Sequence, residues 1–141
     1  MAKGKVSPEL IEQFKQIVGE KYVYTDKDKL EPYSHDEVTD PHYMKEPQVV
    51  VLPATTEEVS KVVKLCYEND TVMVPRAAGT GLAAGAVATF GGVIISIERM
   101  NKILEIDKDN MVCVSEAGVT TSVLQDAVQK EGLFYGGDPC S

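Results

Sequence analysis

Apolar and polar positions follow several rhythms along this chain. Near the amino terminus Leu10, Ile11, Phe14, Ile17 and Val18 recur at helical spacing, which predicts one amphipathic helix. Ser7-Pro8-Glu9 supplies an N-cap, a proline at the first helical position and an acid in the first turn, and Gly19 is a natural stop. From residue 20 to residue 46 the periodicity is lost among mixed charges, tyrosines, Pro32 and Pro41. This stretch predicts irregular surface chain with a short helix in it and carries little information about the fold.

Val49-Val50-Val51-Leu52 is a continuous apolar run closed by Pro53, the pattern of a strand buried on both faces. Thr55-Thr56-Glu57-Glu58 then forms a capping-box pattern, and Val59, Val62, Val63 and Cys66 predict the docking stripe of a helix that ends at Asn69-Asp70. Residues 71–75 restart a strand, so 49–75 reads as a βαβ unit with parallel strands. Three closely joined strands follow, Val93–Ile97, Ile103–Asp107 and Met111–Glu116, with a turn at Lys108-Asp109-Asn110 that makes the last two an antiparallel hairpin. Thr120-Thr121-Ser122 opens a final helix whose buried stripe is Val123, Leu124, Ala127 and Val128.

The chemistry concentrates in residues 75–86, Pro-Arg-Ala-Ala-Gly-Thr-Gly-Leu-Ala-Ala-Gly-Ala, which leave the second strand of the βαβ unit. Small side chains let backbone amides converge on an anion, and glycine supplies the positive φ values that a concave nest needs. Arg76 adds a charge at the mouth. Gly79, Gly81 and Gly85 are spaced one residue too widely for the dinucleotide fingerprint, and no long periodic helix follows them. No Lys-Ser or Lys-Thr pair follows either, which excludes a P-loop. Glu98 stands at a distance that suits a ribose-binding acid, but its strand is assigned to the later antiparallel group, so it is set aside.

Composition narrows the reading. The 141 residues are 43% hydrophobic and 26% charged, which is globular, and no apolar run approaches the ~20 residues of a membrane helix. Fourteen Lys and Arg against 22 Asp and Glu give a formal charge of −8, which argues against nucleic acid and anionic membrane partners. The first residues carry charge with no apolar stretch behind them, and Cys66, Cys113 and Cys140 have no patterned spacing. Free thiols in the cytoplasm are the expectation. His35 and His42, among acids in the irregular stretch, read as surface residues, with no metal site.

With these motifs in place, the chain resembles a family. Residues 75–82 with Gly85-Ala86 look like the pyrophosphate loop of FAD-linked oxidases that have a vanillyl-alcohol oxidase or p-cresol methylhydroxylase type of flavin domain. Within that family the chain resembles the D-lactate dehydrogenase and glycolate oxidase FAD-subunit branch. The resemblance continues through residues 51–59, Gly92–Ser96, Arg99–Asp107, Glu116–Val119 and Gly132–Tyr135 to Asp138-Pro139. It implies an α+β fold, the type-2 (PCMH-like) FAD-binding domain in incomplete form. An N-terminal helix and βαβ subdomain would be followed by the start of a mainly antiparallel subdomain. Residues 1–46 would precede, and 47–141 form, the amino-terminal part of the flavin domain.

The resemblance assigns Arg76, Ala77, Ala78, Gly79, Thr80, Gly81, Leu82 and Gly85 to the cofactor, with Asp138 and Pro139 beside the isoalloxazine ring. No His, Cys or Tyr lies between Arg76 and Gly85 to tether a flavin, so FAD is expected to bind non-covalently. A full-length relative would oxidise a small 2-hydroxy acid such as D-lactate or glycolate by hydride transfer to flavin. Segments that complete the flavin domain and cap the substrate site in that family have no counterpart in these 141 residues, so the chain alone is expected to be inactive and to associate through exposed surface. No catalytic acid or base is assigned. Ala77 and Ala84 stand where the family more often has Gly, and a positive φ at either would strain the loop. Two rival readings are a non-enzymatic α+β module that binds a partner chain and a nicotinamide-binding Rossmann domain.

Overall fold

The computed structural model describes residues 5–137. Helix α1 (Pro8–Val18) is capped by Ser7, whose side chain accepts from Leu10 N. A two-residue strand β1 (Val23–Tyr24) and a short helix α2 (Lys27–Leu30) come next. Strand β2 (Val49–Val51) leads to α3 (Thr56–Glu68), then β3 (Met73–Arg76), β4 (Val93–Ser96), the hairpin strands β5 (Ile103–Asp107) and β6 (Val112–Ser115), and α4 (Thr121–Lys130). At the start of α3 Thr55 accepts from Glu58 N at 3.2 Å, while the Glu58 carboxylate reaches back to Ala54 N at 2.7 Å, so the predicted capping pair forms one residue wider than expected.

The first sheet has the order β1-β2-β4-β3, with β4 parallel to both β2 and β3 and β1 antiparallel to β2. This corrects one expectation: residues 93–96 do not belong to the antiparallel group. The two strands of the βαβ unit are parallel as expected, with β4 inserted between them. The cause is burial. Every residue of β2 and β4 is buried, so these two runs occupy interior positions. β3 is only partly covered, and its Pro75, which has no amide to donate, suits an edge.

Alternation along the strands divides the core. Val49, Val51, Val93 and Ile95 face Leu10 and Phe14 of α1 and Val62 and Cys66 of α3. Val50, Leu52 and Ile94 face the other way, onto Leu30 and Ala88. Each such side chain contributes about 1.5–3 kcal/mol on burial, so the sheet is clamped from both sides. Val63, placed on the docking stripe by sequence, is 36% exposed, and Leu65 packs against the core instead. Residues 20–46 also depart from expectation. Short helical turns run through them, and they deliver Val23, Leu30 and Asp36 to buried positions.

The hairpin β5–β6 forms as expected, with Asp107 accepting from Asn110 N at 3.0 Å and from its side-chain amide at 2.7 Å across the turn. Gly118 N donates to Met100 O at 2.8 Å, and a Cβ at Gly118 would overlap the Ile97 carbonyl. Glycine therefore lets the entry to α4 lie directly against the exit from β4.

Candidate functional site

The glycine-rich loop connects β3 to β4 across the end of the sheet. It begins at Arg76, the last residue of β3, which is paired in register with Ser96. The Arg76 side chain is 8% exposed and turns back under the loop. Its Nη1 donates to His35 O at 2.8 Å and Ala86 O at 3.1 Å, and its Nη2 donates to Pro32 O at 3.2 Å. Its guanidinium carbon lies 5.5 Å from the centre of the Tyr33 ring. Burial pulls the guanidinium pKa below its ordinary value, and the nearby Asp36, Tyr33 and Glu98 oppose that shift.

The loop is thus wrapped around a buried cation. Gly79 has φ +74°, and an added Cβ would run into the Arg76 guanidinium, so glycine is needed here for both conformation and space. Gly81 O accepts from Glu37 N at 3.1 Å, a second tie between the loop and the 32–38 segment. Asp36 is buried beneath this tie. Its Oδ1 accepts from Val38 N at 3.0 Å, while Oδ2 has no hydrogen-bond partner among the described residues. Val87 and Ala88 are buried at the far end and anchor the loop to the core.

Between these anchors carbonyls are engaged, but the amides are not. Among the described residues, no amide from Ala78 to Ala86 donates to a protein acceptor. A run of free N–H groups over a buried guanidinium fits a diphosphate, which needs several donors and a positive field. Ala77 and Ala78 are exposed and line a cleft of about 590 Å³ together with Arg76. Gly118, Val119, Thr120 and Val123 line it too, as do Tyr33, Glu98 and Asn101.

The expected site residues therefore divide. Arg76, Ala77 and Ala78 line the cleft, and Gly79 shapes the turn behind them. Thr80 is half-buried, Leu82 is 79% exposed, and Gly81 and Gly85 have room for a Cβ. Asp138 and Pro139 lie outside the described residues. Ala84, unlike Ala77, adopts a positive φ of 54°, so the loop does carry strain at one of its two alanine departures.

Sequence reasoning passed over Asp36, Tyr33 and the carbonyls of Pro32 and His35, which sit in a stretch without periodicity. The sequence reading sets Glu98 aside because it assigns residues 93–97 to the antiparallel group. With β4 in the parallel sheet, the reason for setting it aside disappears.

Comparison with known proteins places the chain in a family. Residues 47–141 match the family model described as FAD binding domain. The chain is 44% identical over 137 residues to a D-lactate dehydrogenase of Anaerostipes hadrus, covering 96% of this chain and 28% of that protein. It is 39% identical over 109 residues to glycolate oxidase subunit GlcD of Bacillus subtilis, covering 77% of this chain and 23% of that protein. Among solved structures it is similar to p-cresol methylhydroxylase with substrate bound, at 28% identity and a TM-score of 0.78, over 89% of this chain and 25% of that one. The chain spans about a quarter of the length of these relatives, and it belongs to the FAD binding domain family, with the p-cresol methylhydroxylase type of fold.

Proposed function

We propose that this chain holds the pyrophosphate of non-covalently bound FAD on the main-chain amides of the 77–82 loop, within a flavoenzyme that oxidises a small 2-hydroxy acid of the D-lactate or glycolate type. The observation that carries this reading is the unpaired run of amides from Ala78 onward, closed over the buried Arg76 guanidinium. Ala77 and Ala78 line the cleft with no side chain larger than a methyl, and Gly79 adopts the positive φ of the turn. Arg76 acts mainly on the loop: its three carbonyl partners fix the curvature, and its charge biases the site toward an anion. Thr80, Leu82 and Gly85 are assigned to the cofactor loop, and Asp138-Pro139 to the ring end of the cofactor, by the family resemblance.

When bound, FAD accepts hydride from the hydroxyl-bearing carbon of the substrate. This chain's own residues bind and orient, and none of them is assigned as the catalytic base. The free thiols Cys66 and Cys113 suit a cytoplasmic location, and among the described residues no helix is long and apolar enough to cross a membrane.

A second reading rests on a different observation. Leu104, Met111, Val112 and Val114 of the hairpin region are between 42% and 82% exposed, and Phe134 is 91% exposed. A groove of about 630 Å³ lies between this hairpin and α4. Such a surface suits association with further polypeptide, so catalysis is assigned to a larger assembly of which this chain is the cofactor-holding part.

FAD added to the purified chain should be retained through desalting with its visible absorbance, and an Arg76→Ala, Thr80→Ala variant should retain much less. Equal retention by both would refute the loop assignment. Retention of NAD with none of FAD would overturn the cofactor.

A further inference from the structure

Glu98 lies two residues beyond the carboxyl end of β4 and lines the same cleft as Ala77 and Ala78. Tyr33 Oη donates to Glu98 Oε1 at 3.0 Å. The side chain is exposed, and among the described residues no Lys or Arg forms an ion pair with it. Tyr33 is itself held from behind by the Arg76 guanidinium. Burial, reinforced by the Glu98 charge, pushes the Tyr33 phenol above its ordinary pKa, so it stays a donor across the neutral range. The result is an oriented carboxylate with one oxygen engaged and the other available.

A carboxylate only accepts hydrogen bonds, and beside a diphosphate it is repulsive. The ligand group that suits it is a neutral donor close to the pyrophosphate. Sugar hydroxyls meet that description, whereas a phosphate or the carboxylate of a hydroxy acid does not. We propose that Glu98, held by Tyr33, accepts a hydrogen bond from a sugar hydroxyl of the dinucleotide next to its pyrophosphate. This rests on the loop assignment above. FAD offers such hydroxyls on both sides, on the adenosine ribose and on the ribityl chain, and the two are separable by experiment.

Calorimetric titration of FAD and of ADP into the wild-type chain and its Glu98→Ala, Glu98→Gln and Tyr33→Phe variants tests the assignment. Loss of a hydrogen bond to a charged acceptor should weaken FAD by about tenfold in Glu98→Ala. Glu98→Gln keeps an acceptor oxygen and should lose less, and Tyr33→Phe, which frees the carboxylate to rotate, should fall between wild type and Ala. Parallel weakening of ADP places the hydroxyl on the ribose, and unchanged ADP binding places it on the ribityl chain. FAD binding that is unchanged in Glu98→Ala, or tighter because repulsion is relieved, overturns the proposal. If FAD binding depends on Arg76 and Thr80 but not on Glu98, the loop assignment survives and the Glu98 role does not. A wild-type chain that binds no FAD overturns both.

Discussion

Gly79 occupies space that a side chain would take from the Arg76 guanidinium: an ideal Cβ at Gly79 would lie 2.6 Å from the Arg76 guanidinium carbon. The glycine also has φ +74°. Gly79→Ala therefore meets two penalties, about 1–2 kcal/mol for the left-handed backbone and the displacement of a buried cation. Denaturant unfolding should show a loss of about 2 kcal/mol or more. Gly85 has nothing within 4 Å of an added Cβ, and Gly85→Ala should stay within about 0.5 kcal/mol of wild type. Equal effects at the two positions would contradict the packing described.

Arg76 satisfies three carbonyls from two segments, Pro32 and His35 on one and Ala86 on the other. Arg76→Met should destabilise by about 2–4 kcal/mol, because partly buried acceptors lose their donors. Arg76→Lys keeps the charge but lacks the planar fork that reaches all three, so it should recover only part of the loss. Full recovery by Lys would mean that charge alone matters at this position.

Cys66 is fully buried among the α3 and sheet side chains, and burial pushes its thiol up to about 11 from an ordinary 9.0. A thiol reagent at pH 8 should modify Cys113, which is half-buried, while Cys66 stays protected until the chain unfolds. The sign of the pH effect follows from the raised value. The stabilising contribution of the neutral thiol is fully present below about pH 9 and is lost as pH rises toward about 11. Cys66→Ala would lower stability at pH 7 through lost packing and flatten this alkaline slope. Prompt labelling of Cys66 in the native chain would contradict its place in the core.

The exposed apolar side chains of the hairpin predict concentration-dependent association. Met111 is 82% exposed and Val114 is 42% exposed. A Met111→Lys, Val114→Thr variant should sediment with a smaller mean mass than wild type at the same high concentration, with unchanged circular dichroism. Identical masses would remove this surface as the route of assembly.

The local devices were legible in the sequence. Ser7 and Thr55 cap the helices that their neighbours predict, and the Asp107–Asn110 turn closes the expected hairpin, because each depends on residues a few positions apart. The place of β4 was not legible. Its burial and partners are set by β2 and β3, whose registered residues lie 44 and 20 positions earlier, and strand order leaves no trace in local periodicity. The 32–38 segment was missed for a related reason. It works through main-chain carbonyls and one buried carboxylate, Asp36, and such contacts impose no spacing that can be read along the chain. Glu98 shows the consequence: only the parallel pairing of β4 brings this residue to the cleft.

The most direct test of the cofactor loop is amide NMR of the labelled chain during titration with FAD, with inorganic pyrophosphate as a second ligand. The amide protons of residues 77–82 should move the most with both ligands, since those donors acquire phosphate acceptors. Saturable shifts confined to other segments, with the 77–82 amides unmoved, would contradict the account.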